Sequence, residues 1–577
     1  MCIRDSPVFV PENAPFSPEQ REWLNGFFAK QFSGTSAPVA TGPAVPVTIL
    51  WGSQTGNAEG CAKRLKKAMG AGFEVKIIDL ADYSLDQLSG EKNVALITST
   101  YGDGEPPDNA TDFVENLLSD SAPRMEGVKF AVFGLGDTEY PDFCETGKVI
   151  DRRFGELGGE RILERVDSDV DYDEPFDGWK ANILQALGAS VVAAEEGEVS
   201  LEDEPYGKAN PFPSEIVSNY DLNSEGAQKS THHVEFSLEG SGLEYEAGDA
   251  LSVKPVNPKS VVEEICEAVP FKASRPIPLP NGKEGTLEEA LMYHYDIRSL
   301  NKKLITAWQE RSGSPFLRSL VESDDDKAWD DFMWGRELVD LVVDHPADFR
   351  DGEEFVGVLK KLQPRLYSIS SSPKAHPGQV HLTVGVVEYE SQGRQRGGVC
   401  STFLARRSDG VKPGVFVHSN KAFRPPENND VPMIMVGPGT GIAPFRAFLE
   451  EREARGAEGM NWLFFGNPYR ATDFLYEEQL MEMQDKGVLD KLSLAFSRDQ
   501  KEKLYVQHLM LQEGAELWKA LQDGGYFYVC GDASRMAKDV DNALHKIAEE
   551  HGKMSEEEAV AFIKLLKKEK RYARDVY

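Results

Sequence analysis

Two stretches of this chain, 45–190 and 431–577, alternate short apolar segments with helical ones, and this alternation constrains the fold more than any other feature. In the first stretch Val45–Trp51, Val75–Leu80, Val94–Ser99 and Lys129–Gly134 read as strands, with a helix such as Ala58–Met69 between the first two. In the second, Val431–Val436, Asn461–Phe465, Leu492–Ala495 and Tyr526–Cys530 do the same. Strands alternating with helices build doubly wound parallel sheets, whose ligands sit at the carboxyl ends of the strands. Between the two stretches, Thr231–Leu238, Ala250–Lys254, Arg365–Ser370, Gln379–Glu388 and Gly414–His418 read as a β-barrel. A helical pattern interrupts it over about 258–362, as in Val261–Val269, Leu287–Tyr295 and Lys302–Arg311. The expected fold class is therefore multi-domain α/β. Its parts are 1–44, a helix and linker; 45–190; 191–209, an acidic linker; 210–430, the barrel with its insertion; and 431–577.

Composition excludes several classes of function. With 63 basic residues against 96 acidic ones, the net charge of −33 repels nucleic acid and anionic lipid, so neither is an expected partner. No run reaches the ~18–20 apolar residues of a spanning helix, and Met1–Ser6 has no signal-peptide pattern. Six scattered cysteines without a CxxC or a His-spaced cluster imply reduced thiols, no zinc or iron–sulfur site, and a cytoplasmic setting. Residues 17–32 carry Trp23, Phe27 and Phe28 at helical spacing ahead of a Gly/Ser/Pro-rich linker at 33–46, and are expected to make a homo-oligomer contact.

Three loops of the first stretch converge on one crevice. Ser53-Gln54-Thr55-Gly56-Asn57-Ala58 opens a helix with the hydroxyls and backbone N–H groups that suit a phosphate monoester, and no lysine follows as in a triphosphate loop. Ser99-Thr100-Tyr101-Gly102 ends the third strand, and Leu135-Gly136-Asp137, followed by Tyr140, Phe143 and Cys144, follows the fourth. Tyr101 and Tyr140 can sandwich a planar ring, so a flat ring on a short phosphate tether, FMN, is the expected ligand.

At these loops the chain resembles the diflavin reductases, a family that includes the cytochrome P450 reductases and the flavoproteins of NADPH-dependent sulfite reduction. The resemblance covers essentially the whole chain, although Met1–Ser6 matches no segment of the family. It implies a flavodoxin-like FMN domain, a β-barrel FAD domain with a helical connecting insertion, and a ferredoxin–NADP-reductase-type NADP domain. Read from the residues, Arg365-Leu366-Tyr367-Ser368 offers a guanidinium fork, a stacking face and a hydroxyl. Gly398-Val399-Cys400-Ser401 is a glycine-and-hydroxyl helix entry suited to a pyrophosphate. By resemblance Thr383, Val384, Gly385 and Tyr389 also line FAD, and Cys400 is a packing residue.

Gly437-Pro438-Gly439-Thr440-Gly441 follows a strand and reads as a pyrophosphate turn, although it is not the GxGxxG fingerprint. Ser497, Arg498, Lys503 and Tyr505 supply two charges and two hydroxyls, which a 2′-phosphate needs and an NAD ribose does not. The resemblance extends that NADPH site over Leu504, Val506, Gln507 and Asp539. It also makes Ser368, Cys530 and Asp575 the polar trio of hydride transfer and puts the terminal Tyr577 on the FAD ring. Electrons would then run from NADPH through FAD and FMN to a sirohaem and iron–sulfur hemoprotein that reduces sulfite. Two alternatives stay open from sequence: a soluble diflavin reductase serving another haem or cobalamin acceptor, and a flavodoxin-like carrier or scaffold with an inactive reductase half.

Overall fold

A computed structural model describes residues 44–577, apart from 54, 102–103, 139–141, 189–205, 209, 281 and 324. The amino-terminal helix with Trp23, Phe27 and Phe28, most of the acidic linker, and Gln54, Gly102 and Tyr140 lie outside the described residues.

The first α/β unit is a parallel sheet in the order Phe73–Asp79, Val45–Gly52, Asn93–Ser99, Lys129–Leu135, Glu160–Arg161, with Val166–Ser168 also paired to Lys129–Leu135. Successive side chains of a strand point to opposite faces. Leu50, Leu96 and Phe130 therefore enter one core with Phe154, while Ile49, Ile97 and Phe133 enter the other with Trp179. Burial on both faces explains why these strands are continuously apolar. The short strands at 160–168 carry Glu160, Arg161 and Asp167, which hid them from a hydrophobicity reading.

Two antiparallel sheets make the barrel. One runs Gln379–Gly385, Thr231–Ser237, Ile216–Asp221; the other Arg365–Ser368, Ala250–Val253, Gly414–His418, Phe212–Pro213. They enclose one core that includes Val234, Phe236, Leu251, Leu382 and Phe403. The expected strand Gln379–Glu388 is in fact two. Its barrel partner ends where Thr231 meets Gly385, and the chain then leaves to form the hairpin Glu388–Ser391 with Arg394–Gly397. Gln392 and Gly393, with φ of 53° and 69°, give that hairpin the left-handed turn its twist favours. Likewise Arg365–Ser370 pairs as a strand only to Ser368, and Ile369 keeps a single bridge to Leu382. The inserted helices pack around their own core of Trp308, Trp329 and Phe355.

The last unit is a parallel sheet in the order Lys491–Phe496, Asn461–Asn467, Met433–Val436, Tyr526–Gly531, Tyr572–Val576. Its fifth strand was not legible as one, because Arg574 and Asp575 interrupt the apolar pattern around the buried Tyr572 and Val576.

Candidate functional site

In the flavodoxin-like unit the first loop wraps a helix start. Gly56 opens Asn57–Met69 in the left-handed region at φ 84°, with nothing within 4 Å of where a Cβ would stand. Ser53 N–H donates to Asn109 Oδ1 at 2.9 Å, its hydroxyl accepts from Ala58 N–H at 3.3 Å, and Asn57 Nδ2 donates to the Thr55 hydroxyl at 3.3 Å. An open left-handed glycine among hydroxyls at a helix N-terminus fits a phosphate. The next two loops close against each other. Thr100 N–H donates to Leu135 O, the Thr100 hydroxyl accepts from Thr146 N–H at 3.1 Å, and Gly136 N–H donates to Ser168 O. Gly136 is required here because a Cβ would lie 2.8 Å from Cys144 Sγ. Cys144 is itself buried, and burial, seconded by Asp167, pushes its thiol up to about 12, so it packs as a neutral group.

The expected hydride-transfer trio is assembled from three elements. The Ser368 hydroxyl donates to Asp575 Oδ2 at 2.6 Å, and Cys530 Sγ lies 3.9 Å from the same oxygen. Burial raises the Asp575 carboxyl above the ordinary range, partly offset by the Ser368 and Cys530 hydrogen bonds. Burial likewise holds the Cys530 thiol well above its usual value, so it remains a donor. Beside the trio, the Tyr577 hydroxyl pairs with Thr440 Oγ1 at 2.8 Å, while its side chain stays 61% exposed.

Of the remaining expected FAD residues, Tyr367 packs partly buried against the barrel core, Ser401 is buried with its hydroxyl accepting from Val387 N–H at 3.2 Å, and the others divide into two groups. Arg365, Gly385, Tyr389 and Gly398 keep accessible surface, and Leu366 is exposed. Val384, Val399 and Cys400 point into the barrel core, and the buried Thr383 hydroxyl pairs with Tyr476 OH at 2.7 Å, so these residues can offer a ligand only their backbone. Burial pushes the Cys400 thiol up to about 12, as a packing residue requires. Two arginines that the motifs did not name stand beside this helix entry. Arg298 donates to the Gly397 carbonyl and pairs with Glu337 at 2.8 Å. Arg407 donates to Val256 O, Val399 O and the Thr402 hydroxyl, and burial, then Arg298, lowers its pKa to about 10. A half-buried guanidinium set against a second one, bonded to neutral oxygens, fits a diphosphate counter-charge. No spacing rule marks such arginines, since they come from different elements.

At the nucleotide turn, a Cβ on Gly441 would stand 2.1 Å from the Cys530 carbonyl, and one on Gly437 2.5 Å from the Gly441 carbonyl. The turn is a 3-10 segment, Gly439–Ile442, running into the helix Ala443–Arg455 with Pro444 in its first turn. Arg498 and Lys503 are exposed and, among the described residues, in no ion pair. Gln507 Nε2 donates to Asp539 Oδ2 at 3.0 Å, which brings those two expected residues together. Val506 is buried in the unit's core, so its side chain does not reach a ligand, and Leu504 packs partly buried against that core.

One cluster had no counterpart in the sequence reading, which found no His-spaced group. Neighbouring barrel strands bring His233, Glu235 and His381 together, with ligand atoms all within 4.8 Å. His233 Nε2 pairs with Glu235 at 3.2 Å and its Nδ1 with Tyr476 OH at 2.9 Å, a closed network in which burial lowers His233 to about 3 and His381 to about 2.

The flavodoxin-like unit faces the linker residue Lys208 and the reductase half through charge. Lys208 meets Asp173 at 2.7 Å, Lys360 meets Asp169 at 2.6 Å and Lys361 meets Asp171 at 3.2 Å. Lys538 meets Glu105 at 3.7 Å, Lys564 meets Glu115 at 2.6 Å, and Arg574 pairs with Asp108. In each pair the acid belongs to the flavodoxin-like unit, and His418 adds a hydrogen bond to the Thr55 carbonyl. Among the described residues no helix is long and apolar enough to cross a membrane.

Known families match the same three regions. A flavodoxin family model matches residues 49–179, an FAD binding domain 204–403, and an oxidoreductase NAD-binding domain 435–542. The chain is 43% identical to the sulfite reductase (NADPH) flavoprotein alpha-component of Bacillus subtilis (strain 168), covering 98% of this chain and 99% of that one. It is 41% identical to the proteins of that name from Klebsiella pneumoniae and Aliivibrio fischeri, over 97% of this chain and at least 95% of theirs.

Proposed function

Since the chain belongs to the sulfite reductase (NADPH) flavoprotein alpha-component family of diflavin reductases, we propose that it feeds electrons to a sirohaem and iron–sulfur hemoprotein that reduces sulfite to sulfide. The chain is an NADPH-dependent flavoprotein oxidoreductase whose cofactors are FMN, FAD and NADPH. When bound, FAD accepts a hydride and FMN releases electrons singly, chemistry that no side chain supplies. The protein's part is to bind, orient and shield.

The observation that carries the reading is the contact of Ser368, Cys530 and Asp575 beside the terminal Tyr577. Asp575 orients the two donors, and Tyr577 is the residue that would cover the flavin face where nicotinamide must sit. Ser53, Thr55 and Gly56 would hold the FMN phosphate, with Ser99–Tyr101 and the loop from Leu135 to Cys144 framing the ring. Arg365, Tyr367, Gly398 and Ser401, with Arg298 and Arg407 nearby, would hold FAD. Gly437 and Thr440 would take the NADPH pyrophosphate, and Arg498, Lys503 and Tyr505 its 2′-phosphate. The test is sulfide production by the chain mixed with such a hemoprotein and NADPH. Sulfide at a rate set by the flavoprotein supports the reading. A reducible chain that drives a P450 or cobalamin enzyme but not the hemoprotein would replace the acceptor.

Residues 17–32, read from sequence as a helix, are the proposed homo-oligomer contact, in a cytoplasmic setting where the thiols stay reduced. Deleting residues 1–44 should give a monomer by light scattering that still reduces cytochrome c. An unchanged mass would reject that role.

A further inference from the structure

The strand Tyr572–Val576 is the edge of its sheet, and among the described residues its one strand neighbour is Tyr526–Gly531. An edge strand presents unpaired backbone groups, and here the flavodoxin-like unit engages one of them. The Tyr101 hydroxyl donates to the Val576 carbonyl at 2.7 Å. Two residues earlier in the strand, Arg574 forms a two-pronged pair with Asp108, and the two side chains are only 16% and 28% exposed. Tyr101 also packs against the core of the nucleotide-binding unit. These contacts flank Asp575 and immediately precede Tyr577, whose N–H donates to Gly531 O at 3.0 Å. Of the other charged contacts of this face, those of Lys538 and Lys564 reach the helices Met536–Gly552 and Glu556–Lys568, and none of the rest reaches this strand.

We propose that Asp108 and Tyr101 are positioning residues for the C-terminal strand: the seated flavodoxin-like unit clamps Arg574–Tyr577 and so resists displacement of the terminal ring. This rests on the reading that Tyr577 must move aside for nicotinamide. By linkage, whatever moves the strand weakens the seating to the same degree. Hydride entry at one site and seating of the other unit therefore oppose each other through residues 574–577, the end of one strand and the residue after it.

The test is hydrogen–deuterium exchange on the full flavin-loaded chain at low salt, comparing wild type with Asp108→Asn and Arg574→Gln. Losing a buried charge-assisted pair should speed exchange across 572–577 at least tenfold in both variants. Tyr526–Gly531 should stay as protected as in wild type. Flavin reduction by NADPH should then be faster in Asp108→Asn, while cytochrome c reduction, which needs the seated unit, should fall. Unchanged exchange at 572–577 in Asp108→Asn overturns the clamp. So does parallel loss of protection in 526–531 with slower flavin reduction, which marks a structural role only. Wild type is its own control for the underlying function: a chain that NADPH does not reduce rejects the reductase reading, and the exchange result still decides the clamp.

Discussion

The two parallel sheets obey one rule of ligand placement and assemble their sites in different ways. In the flavodoxin-like unit, three loops leave neighbouring strands of a single sheet, and each loop is one contiguous run of sequence. At the other site Cys530 is the penultimate residue of one strand, Asp575 sits in the edge strand, and Ser368 comes from the barrel, 207 residues from its partner. A site made of loops is a local property of its sheet. A site made of three side chains from three elements depends on how the barrel docks against the nucleotide-binding unit. Damage to the first should be confined to one cofactor, whereas damage to the second should stop everything downstream.

The sharpest break of that contrast is a pair of variants. Gly56→Val puts a branched side chain at φ 84°, where only glycine is unstrained, and into space a phosphate would use. It should strip FMN and abolish cytochrome c reduction while ferricyanide reduction by NADPH persists. Asp575→Asn should lower both reductions about a hundredfold, the usual scale for removing an oriented electrostatic partner. Equal losses of both reductions in Gly56→Val would mean the two sites are not separable.

Next in size, Arg498→Ala or Lys503→Ala should raise the KM for NADPH at least tenfold and leave NADH unaffected, since each removes one charge-assisted phosphate contact of about 1.5–3 kcal/mol. Equal effects on both donors would make the two residues structural. Smaller still, Tyr577→Ala should raise kcat/KM for NADH several-fold with ferricyanide as acceptor, because stacking beyond burial is worth about 0.5–1.5 kcal/mol. An unchanged donor ratio in a fully flavinated variant would show that the ring does not gate the site.

The smallest effect separates the two regions by pH. All ten histidines lie at 232 or beyond, and none lies in the flavodoxin-like unit. His233 and His381 titrate at about 3 and about 2 in the fold, against 6.5 when unfolded. Their contribution is therefore whole above pH 6.5 and drains as pH falls towards 3, at about 1.4 kcal/mol per pH unit for each. Calorimetry should show the reductase transition falling by a few degrees between pH 7 and 5.5, with His381→Asn flattening the slope. A flavodoxin-like transition that falls in step would deny these histidines the role.

The same contrast explains what could be read in advance. The strands of both sheets were legible because buried parallel strands are continuously apolar, and the phosphate loops because glycine and hydroxyl residues at a helix start have a local meaning. The trio was reached only through family resemblance, since nothing in the neighbourhood of Ser368 predicts Asp575. The edge strand Tyr572–Val576 was missed because its charges face partners elsewhere: Arg574 faces Asp108, and Asp575 faces Ser368. Arg298, Arg407 and the His233–Glu235–His381 group were invisible for the same reason, being tertiary neighbours without a spacing. Val506 and Val384, named by resemblance, carry core side chains, because likeness over a segment does not give the direction of each residue, whereas Cys400 packs in the barrel core as expected.

The central claim is that one chain carries electrons from NADPH across both sites. An anaerobic absorption titration of the fully flavinated chain with NADPH tests it directly. Both flavins should bleach completely, at one NADPH per flavin, and Gly56→Val should retain only the FAD share of the change. Bleaching of a single flavin in the intact chain, or equal bleaching by NADH at the same concentration, would contradict it.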